Sequence, residues 1–244
     1  MRVLGMLTVA GVGVVGLTGC QSGAMSNLEA LDALAEINQS SRGEAATGDV
    51  IEVSTDFTMG DAVAAAAQHI ADFWESQAPC STVTLEGPLL TVDYGTLEDA
   101  CSFDGHTYAG VNTTEVVSTA QGQLEVEHVW TAFTNGDVTV DGDATVTWTG
   151  ADATRRVETV HTWTDSSGIV VDVVGDHVQG PLEDGGGWGA WLGGITMGGT
   201  REWTHDGGVW LLDMSDLELR WIDPAPQAGS LTVVNPDGKE LSVV

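Results

Sequence analysis

A chain of 244 residues carries 36 acidic side chains against only 7 basic ones, a formal net charge of −29. Phosphate would be repelled at every approach, so nucleic acid is excluded as a partner, and docking of the protein surface on anionic lipid is disfavoured. Apolar residues at 42% and nine tryptophans call for a sizeable core and exclude disorder of the whole chain. Strong acidity with Lys239 as the sole lysine fits two sources equally, a salt-adapted protein and an ordinary acidic exoprotein.

At the start of the chain Arg2 precedes an apolar run over 3–15, too short to span a bilayer. Leu17-Thr18-Gly19-Cys20 follows it and resembles the lipobox of bacterial lipoproteins. The resemblance implies a signal peptide over 1–19, cleavage before Cys20, and several acyl chains on that one residue, which together give stable membrane anchoring. Gln21 stands where an aspartate retains enterobacterial lipoproteins in the inner membrane, so the same resemblance implies an extracytoplasmic protein anchored in the outer membrane. Residues 20–49 read as lipidated N-terminus and tether. Leu28, Leu31, Leu34 and Ile37 sit near helical spacing, which predicts a short amphipathic helix over 27–37 with Ser26 as its N-cap. Residues 38–48, rich in Gly, Ser and Ala, read as linker, and 50–54 as a short strand.

The span 50–244 reads as a single antiparallel β domain with one Ala-rich helix over 61–77. Asp61 is placed to cap that helix, and Val63, Ala66, Ala67, Ile70, Phe73 and Trp74 form its apolar stripe. Cys80 and Cys101 are the only cysteines besides Cys20, and an even pair in an oxidising compartment predicts a disulfide. The rival reading, a cysteine nucleophile served by His106, lacks any flanking protease signature.

The richest β stretch is 124–178. Leu124, Val126, His128, Trp130 and Ala132 share one parity, with Val129 and Phe133 as apolar exceptions on the other. Asn135-Gly136 suits a tight hairpin, and Asp141-Gly142-Asp143 marks a turn or a bulge. Short spacings require antiparallel pairing, which predicts a meander of at least five strands here and a curved sheet, partly open barrel or sandwich overall. Residues 180–199 are dense in glycine, with Trp188 and Trp191 among them, and read as a loop covering one end of the sheet or as a binding flap. Strands resume beyond it and end in a hairpin about Asn235-Pro236-Asp237-Gly238.

The lipobox, the Ala-rich helix before Cys80, the segments 92–95 and 105–110, and Trp221-Ile222-Asp223-Pro224 with the residues to Gly229 together resemble uncharacterised lipoproteins of myxobacteria-like bacteria. That resemblance implies a lipid-anchored all-β domain and no known activity.

No nucleophile elbow, zincin helix, P-loop or dinucleotide fingerprint is present, and no cofactor is called for. His128, His161 and His205 each share a strand face with a tryptophan, and three imidazoles on coinciding faces would suit a divalent metal in an envelope hydrolase. Asp137, Asp141 and Asp143 lack the spacing of a calcium loop. The leading expectation is non-enzymatic: a lipid-anchored domain that binds an apolar ligand, a lipid or an envelope protein through Trp130, Trp148, Trp163, Trp188 and Trp191. A purely structural surface protein is the remaining alternative.

Overall fold

The computed structural model describes residues 23–58, 63–103, 105–118, 123–149, 154–182, 193–205, 207–220 and 223–244. Cys20, Asp61, Trp188, Trp191 and Trp221 lie outside them. Two helices, α1 (Asn27–Thr58) and α2 (Val63–Gln77), precede twelve strands. These are β1 (Thr82–Glu86), β2 (Leu89–Asp93), β3 (Cys101–Phe103), β4 (His106–Ser118), β5 (Leu124–Thr134), β6 (Val138–Thr149), β7 (Thr154–Asp165), β8 (Val170–Pro181), β9 (Gly194–His205), β10 (Gly208–Arg220), β11 (Asp223–Val234) and β12 (Glu240–Val243). Each strand pairs with the next in sequence, except that β2 pairs with β4 past β3, and β3 pairs with β4 alone off the main order, so the sheet is an antiparallel meander that stays open. The expected mainly-β class, a meander sheet with an Ala-rich helix on it, is what forms.

Sequence-local chemistry sets the turns. Asn135 Oδ1 accepts from the Asp137 and Val138 amides at 3.0 and 3.4 Å, and Asn235 Oδ1 from those of Asp237 and Lys239 at 3.1 and 2.8 Å. Asp165 Oδ1 does the same for the Ser167 and Ile169 amides between β7 and β8. Asp141-Gly142-Asp143 is not a turn. It runs through the middle of β6, so the stretch 124–178 holds four strands rather than five. The irregularity is in β5, where three steps, Trp130 to Phe133 against β6 and Thr131 to Thr134 against β4, face two steps on the neighbouring strand. This bulge takes Ala132 to φ 46, and Asp141 Oδ1 accepts its amide at 2.7 Å. It also reverses parity: Ala132 is turned out and Phe133 is buried, opposite to strict alternation. Gly110 and Gly142 flank the bulge with positive φ, and a Cβ there would lie 2.1 and 2.3 Å from the carbonyl oxygens of Ala132 and Val160.

The largest departure from expectation is α1. The helix does not stop at residue 37. It runs for 32 residues, about 48 Å, through the expected linker and the expected strand at 50–54. Its buried side is Ala33, Ile37, Ser40, Glu44, Thr47, Ile51 and Ser54, a regular alternation of three and four residues. Because only Ile37 and Ile51 on that seam are large and apolar, hydropathy does not reveal it. The buried hydroxyls are satisfied within the helix: Ser40 donates to Ile37 O at 2.9 Å, Thr47 to Gly43 O at 3.2 Å, and Ser54 to Ile51 O at 2.8 Å. At its start Ser26 caps as expected, in a reciprocal box with Glu29. Residues 23–58 are therefore part of the fold and not a tether.

Two apolar clusters fill the inner face. One packs Ala66, Ala67, Ile70, Ala71 and Trp74 of α2, with the end of α1, on β1 to β7. The Cys80–Cys101 disulfide, with Cα atoms 5.3 Å apart, ties the exit of α2 to β3 beside it. The other places Ala33 and Ala46 of α1 against Trp163, Trp203, Trp210 and Leu212 of the later strands.

Candidate functional site, a polar seam beneath helix α1

Between the two clusters the inner face is polar. Cross-strand partners run Thr114–His128–Ala144–Thr159–Gly175–Arg201 from β4 to β9. The adjacent row runs Trp130–Gly142–His161–Val173–Trp203–Trp210 from β5 to β10. Small residues, Ala144, Gly142 and Gly175, alternate with larger ones along these rows, and a Cβ at Gly175 would stand 2.6 Å from Thr159 Oγ1 and 3.4 Å from Glu44 Oε1 of α1. The approach is closest at Gly43, where a Cβ would stand 2.5 Å from Trp163 Cδ1 and 2.6 Å from His161 Nε2. Only glycine lets a helix backbone come so near an indole and an imidazole.

Ion pairs fasten the helix to this surface. Glu44 receives Arg201 through both its Nε, at 2.9 Å, and its Nη2, while Arg201 Nη1 reaches Ser40 Oγ at 3.4 Å. Glu52 pairs with Arg155, which donates to Gln179 Oε1 at 2.7 Å and lies over the Trp148 ring at 5.7 Å. Arg42 bonds Asp165 at 3.1 Å and the Asp137 carbonyl at 3.3 Å, and lies over Trp163 at 5.4 Å. Glu36 binds His205 Nε2 at 2.7 Å, and Glu29 pairs with Lys239. Arg42, Arg155, Arg201 and Lys239 thus place four of the chain's 7 cations between α1 and the sheet. The Asp165 carboxyl is held down to about 2, first by the Ser167 hydroxyl and then by backbone amides and Arg42.

The histidines lie deeper. His128 is sandwiched between Ser54 Oγ at 3.0 Å from Nε2 and Thr114 Oγ1 at 3.3 Å from Nδ1, and it stacks on Trp130. Burial pushes its pKa down to about 3. A serine against an imidazole has the outline of a nucleophile and base, yet this one is sealed under α1 and its imidazole resists taking a proton. Sequence spacing does not reveal this pair, because residues 50–54 read as a strand rather than as the end of a helix. Neither ring nitrogen of His161 has a hydrogen-bond partner among the described residues, and neither has Thr159 Oγ1. Burial also lowers His161 and His177.

The expected site residues are distributed as follows. Trp130, Trp148 and Trp163 do share the inner face, but at 1%, 7% and 0% exposure they lie under the helices and not on an open surface. His128, His161 and His205 are not brought together. Each is two strands and two residues beyond the last, about 12 Å on by sheet geometry, too far for one metal ion to take all three. Among the described residues no three or more His, Cys, Asp and Glu side chains are grouped as metal ligands. Asp141 serves the β5 bulge and Asp137 a hairpin. Cys80 and Cys101 are bonded to each other, so neither is a thiolate for His106. Among the described residues no helix is long and apolar enough to cross a membrane.

Comparison of the chain with protein-family models, with curated proteins and with solved structures found no match.

Proposed function

We propose that the chain is a lipid-anchored protein of the bacterial cell envelope, acylated at Cys20 and sorted to the outer membrane, whose curved sheet takes up an apolar ligand of the acyl-lipid class when α1 lifts from it. The observation that carries this reading is the nature of the cover. The tryptophan-bearing rows are closed by a helix that adds, to a small apolar contact of Ala33, Ala46, Val50, Ile51 and Val53, ion pairs with Asp165, Arg155 and Arg201. Such contacts exchange for water at little net cost when they part, whereas an apolar interface would resist opening in proportion to its area. What opening leaves in water is Trp163, Trp203 and their neighbours, a surface that an acyl chain would cover. The open sheet gives that surface room at its edges. The role is one of binding: the Ser54–His128 pair lies under the same cover with its imidazole kept neutral. The lipobox and Gln21 support the location, and the resemblance to myxobacterial-type lipoproteins agrees with it.

The test uses the soluble form beginning at Ser22. A nitroxide-labelled stearic acid is titrated while tryptophan emission is followed, with native mass spectrometry for stoichiometry. Saturable quenching with a bound mass of one or a few ligands is expected, and tighter uptake by Glu44→Gln, whose cover is looser. Emission indifferent to the labelled acid in both proteins would remove the ligand reading and leave a structural surface protein.

A further inference from the structure

The folded part of the chain begins very close to the proposed anchor. The Met25 amide donates to Glu240 O at 3.2 Å and the Glu240 amide to Gly23 O at 2.8 Å, so Ala24 bridges in parallel to the free edge of β12. The Ser26–Glu29 capping box and the Glu29–Lys239 pair fix the same corner. Gln21 and Ser22 alone separate Gly23 from Cys20, three Cα steps that reach at most about 11 Å. On the exposed side of the first two turns of α1, Leu28 and Leu31 stand three residues apart at 75% and 63% exposure. The seam residues occupy the opposite side of the helix, turned to the sheet, and none of the described residues covers these two leucines.

We propose that Leu28 and Leu31 are a membrane-docking surface, seated in the interface of the bilayer that holds the acylated Cys20. The inference rests on the anchor reading above. A lipid on Cys20 with so short a link cannot hold the domain away from the membrane, and it brings the helix start, with its paired aliphatic side chains, to the headgroup level. Charge selects the kind of surface. Glu29 is compensated by Lys239, but Asp32, Asp237 and Glu240 are near in sequence to this corner and the whole chain is strongly acidic, so a zwitterionic surface suits it and an anionic one does not. The ligand-bearing sheet is then held against the membrane at a fixed orientation rather than displayed on a long tether.

The full chain is expressed with its own N-terminus in a bacterial host and reconstituted in phosphatidylcholine vesicles. Leu28→Cys carries an environment-sensitive dye, Cys80 and Cys101 being oxidised, and Val178→Cys on the opposite sheet face carries the same dye for comparison. Nitroxide-labelled phosphatidylcholine is expected to quench the dye at Leu28 several-fold more than at Val178, with a blue shift at Leu28 only. Leu31→Cys repeats the measurement should Leu28→Cys fold poorly. Equal quenching at both faces of an acylated protein overturns the docking surface alone. Mass spectrometry showing Cys20 without acyl chains overturns the anchor reading and the docking together.

Discussion

The two helices cover the same sheet by opposite means. Under α2 the contact is apolar and aromatic: Ile70 and Trp74 pack on Tyr94, Leu90 and Val92, with Trp74 edge-on to Tyr94 at 5.7 Å and a disulfide beside them. Along α1 a thinner apolar contact of Ala33, Ala46, Val50, Ile51 and Val53 is joined by ion pairs, over tryptophans and the buried His128 and His161. The first arrangement has little to gain from water and should open only when the protein unfolds. The second loses less on hydration, so it is suited to open by itself. In a chain with so few cations, their concentration at one interface distinguishes that interface from the general surface. Net charge favours expansion, and these pairs are where attraction opposes it.

This contrast breaks if the α2 side is not the stronger one. Trp74→Ala should cost about 4 kcal/mol of global stability, as large-to-small changes at filled aromatic sites do. Urea titration followed by circular dichroism would measure it, with every probe moving together. Glu44→Ala acts on the other side. It leaves the buried Arg201 without its carboxylate, which should cost about 3 kcal/mol. Here the loss should be local: hydrogen exchange would speed up in residues 33–54 while α2 keeps its protection. Equal acceleration in both helices would mean that the cover and the sheet are one cooperative unit, and the idea of an opening helix would fail.

Sequence made one of these sides legible and hid the other. The stripe on α2 is written in Ile, Phe, Trp and Ala, so its period can be read, and the cysteine pair announces the bridge that closes that side. The β-rich stretch was equally open to reading because Val, Thr and Trp alternate along it and Asn-Gly or Asp-Ser-Ser-Gly ends its strands. The buried face of α1 has Ile37 and Ile51 as its only large apolar residues at the three-four positions, and the rest are Ala, Ser, Glu, Thr and Ser, residues that elsewhere mean linker. Gly43 added a breaker signal at the place where the helix must come closest to His161 and Trp163. Tertiary pairing overrides propensity there, through partners more than a hundred residues away in Asp165, Arg201 and Arg155. Trp130, Trp148 and Trp163 do share one face, but periodicity cannot say whether a face is open or covered. The histidines shared a face too, and only strand register shows that they climb across it.

The histidines also allow acid to sharpen the contrast. His128, His161 and His177 are all set in or beside the seam, whereas His69 and His106 are exposed on the α2 side. Each of the three has its pKa lowered by burial, so between an unfolded value of about 6.5 and the folded value the open state binds a proton that the closed state refuses. Stability is therefore complete above pH 6.5 and declines as pH falls. For His128, held at about 3, the loss amounts to about 2 kcal/mol between pH 6.5 and 5 at 1.36 kcal/mol per pH unit. The carboxylates Asp165 and Glu29, held at about 2, lose their pairing only in stronger acid, so they do not mask the effect in this window. Hydrogen exchange of α1 at pH 5 and pH 7, corrected for intrinsic rates, should give an opening free energy that falls by at least this amount, while α2 shows a smaller change. His128→Asn, which offers an uncharged polar side chain to Ser54 and Thr114, should flatten the slope by about one proton. An opening free energy of α1 that does not vary with pH would mean that the histidines stay buried when the helix moves, and the seam would then belong to the sheet rather than to the latch.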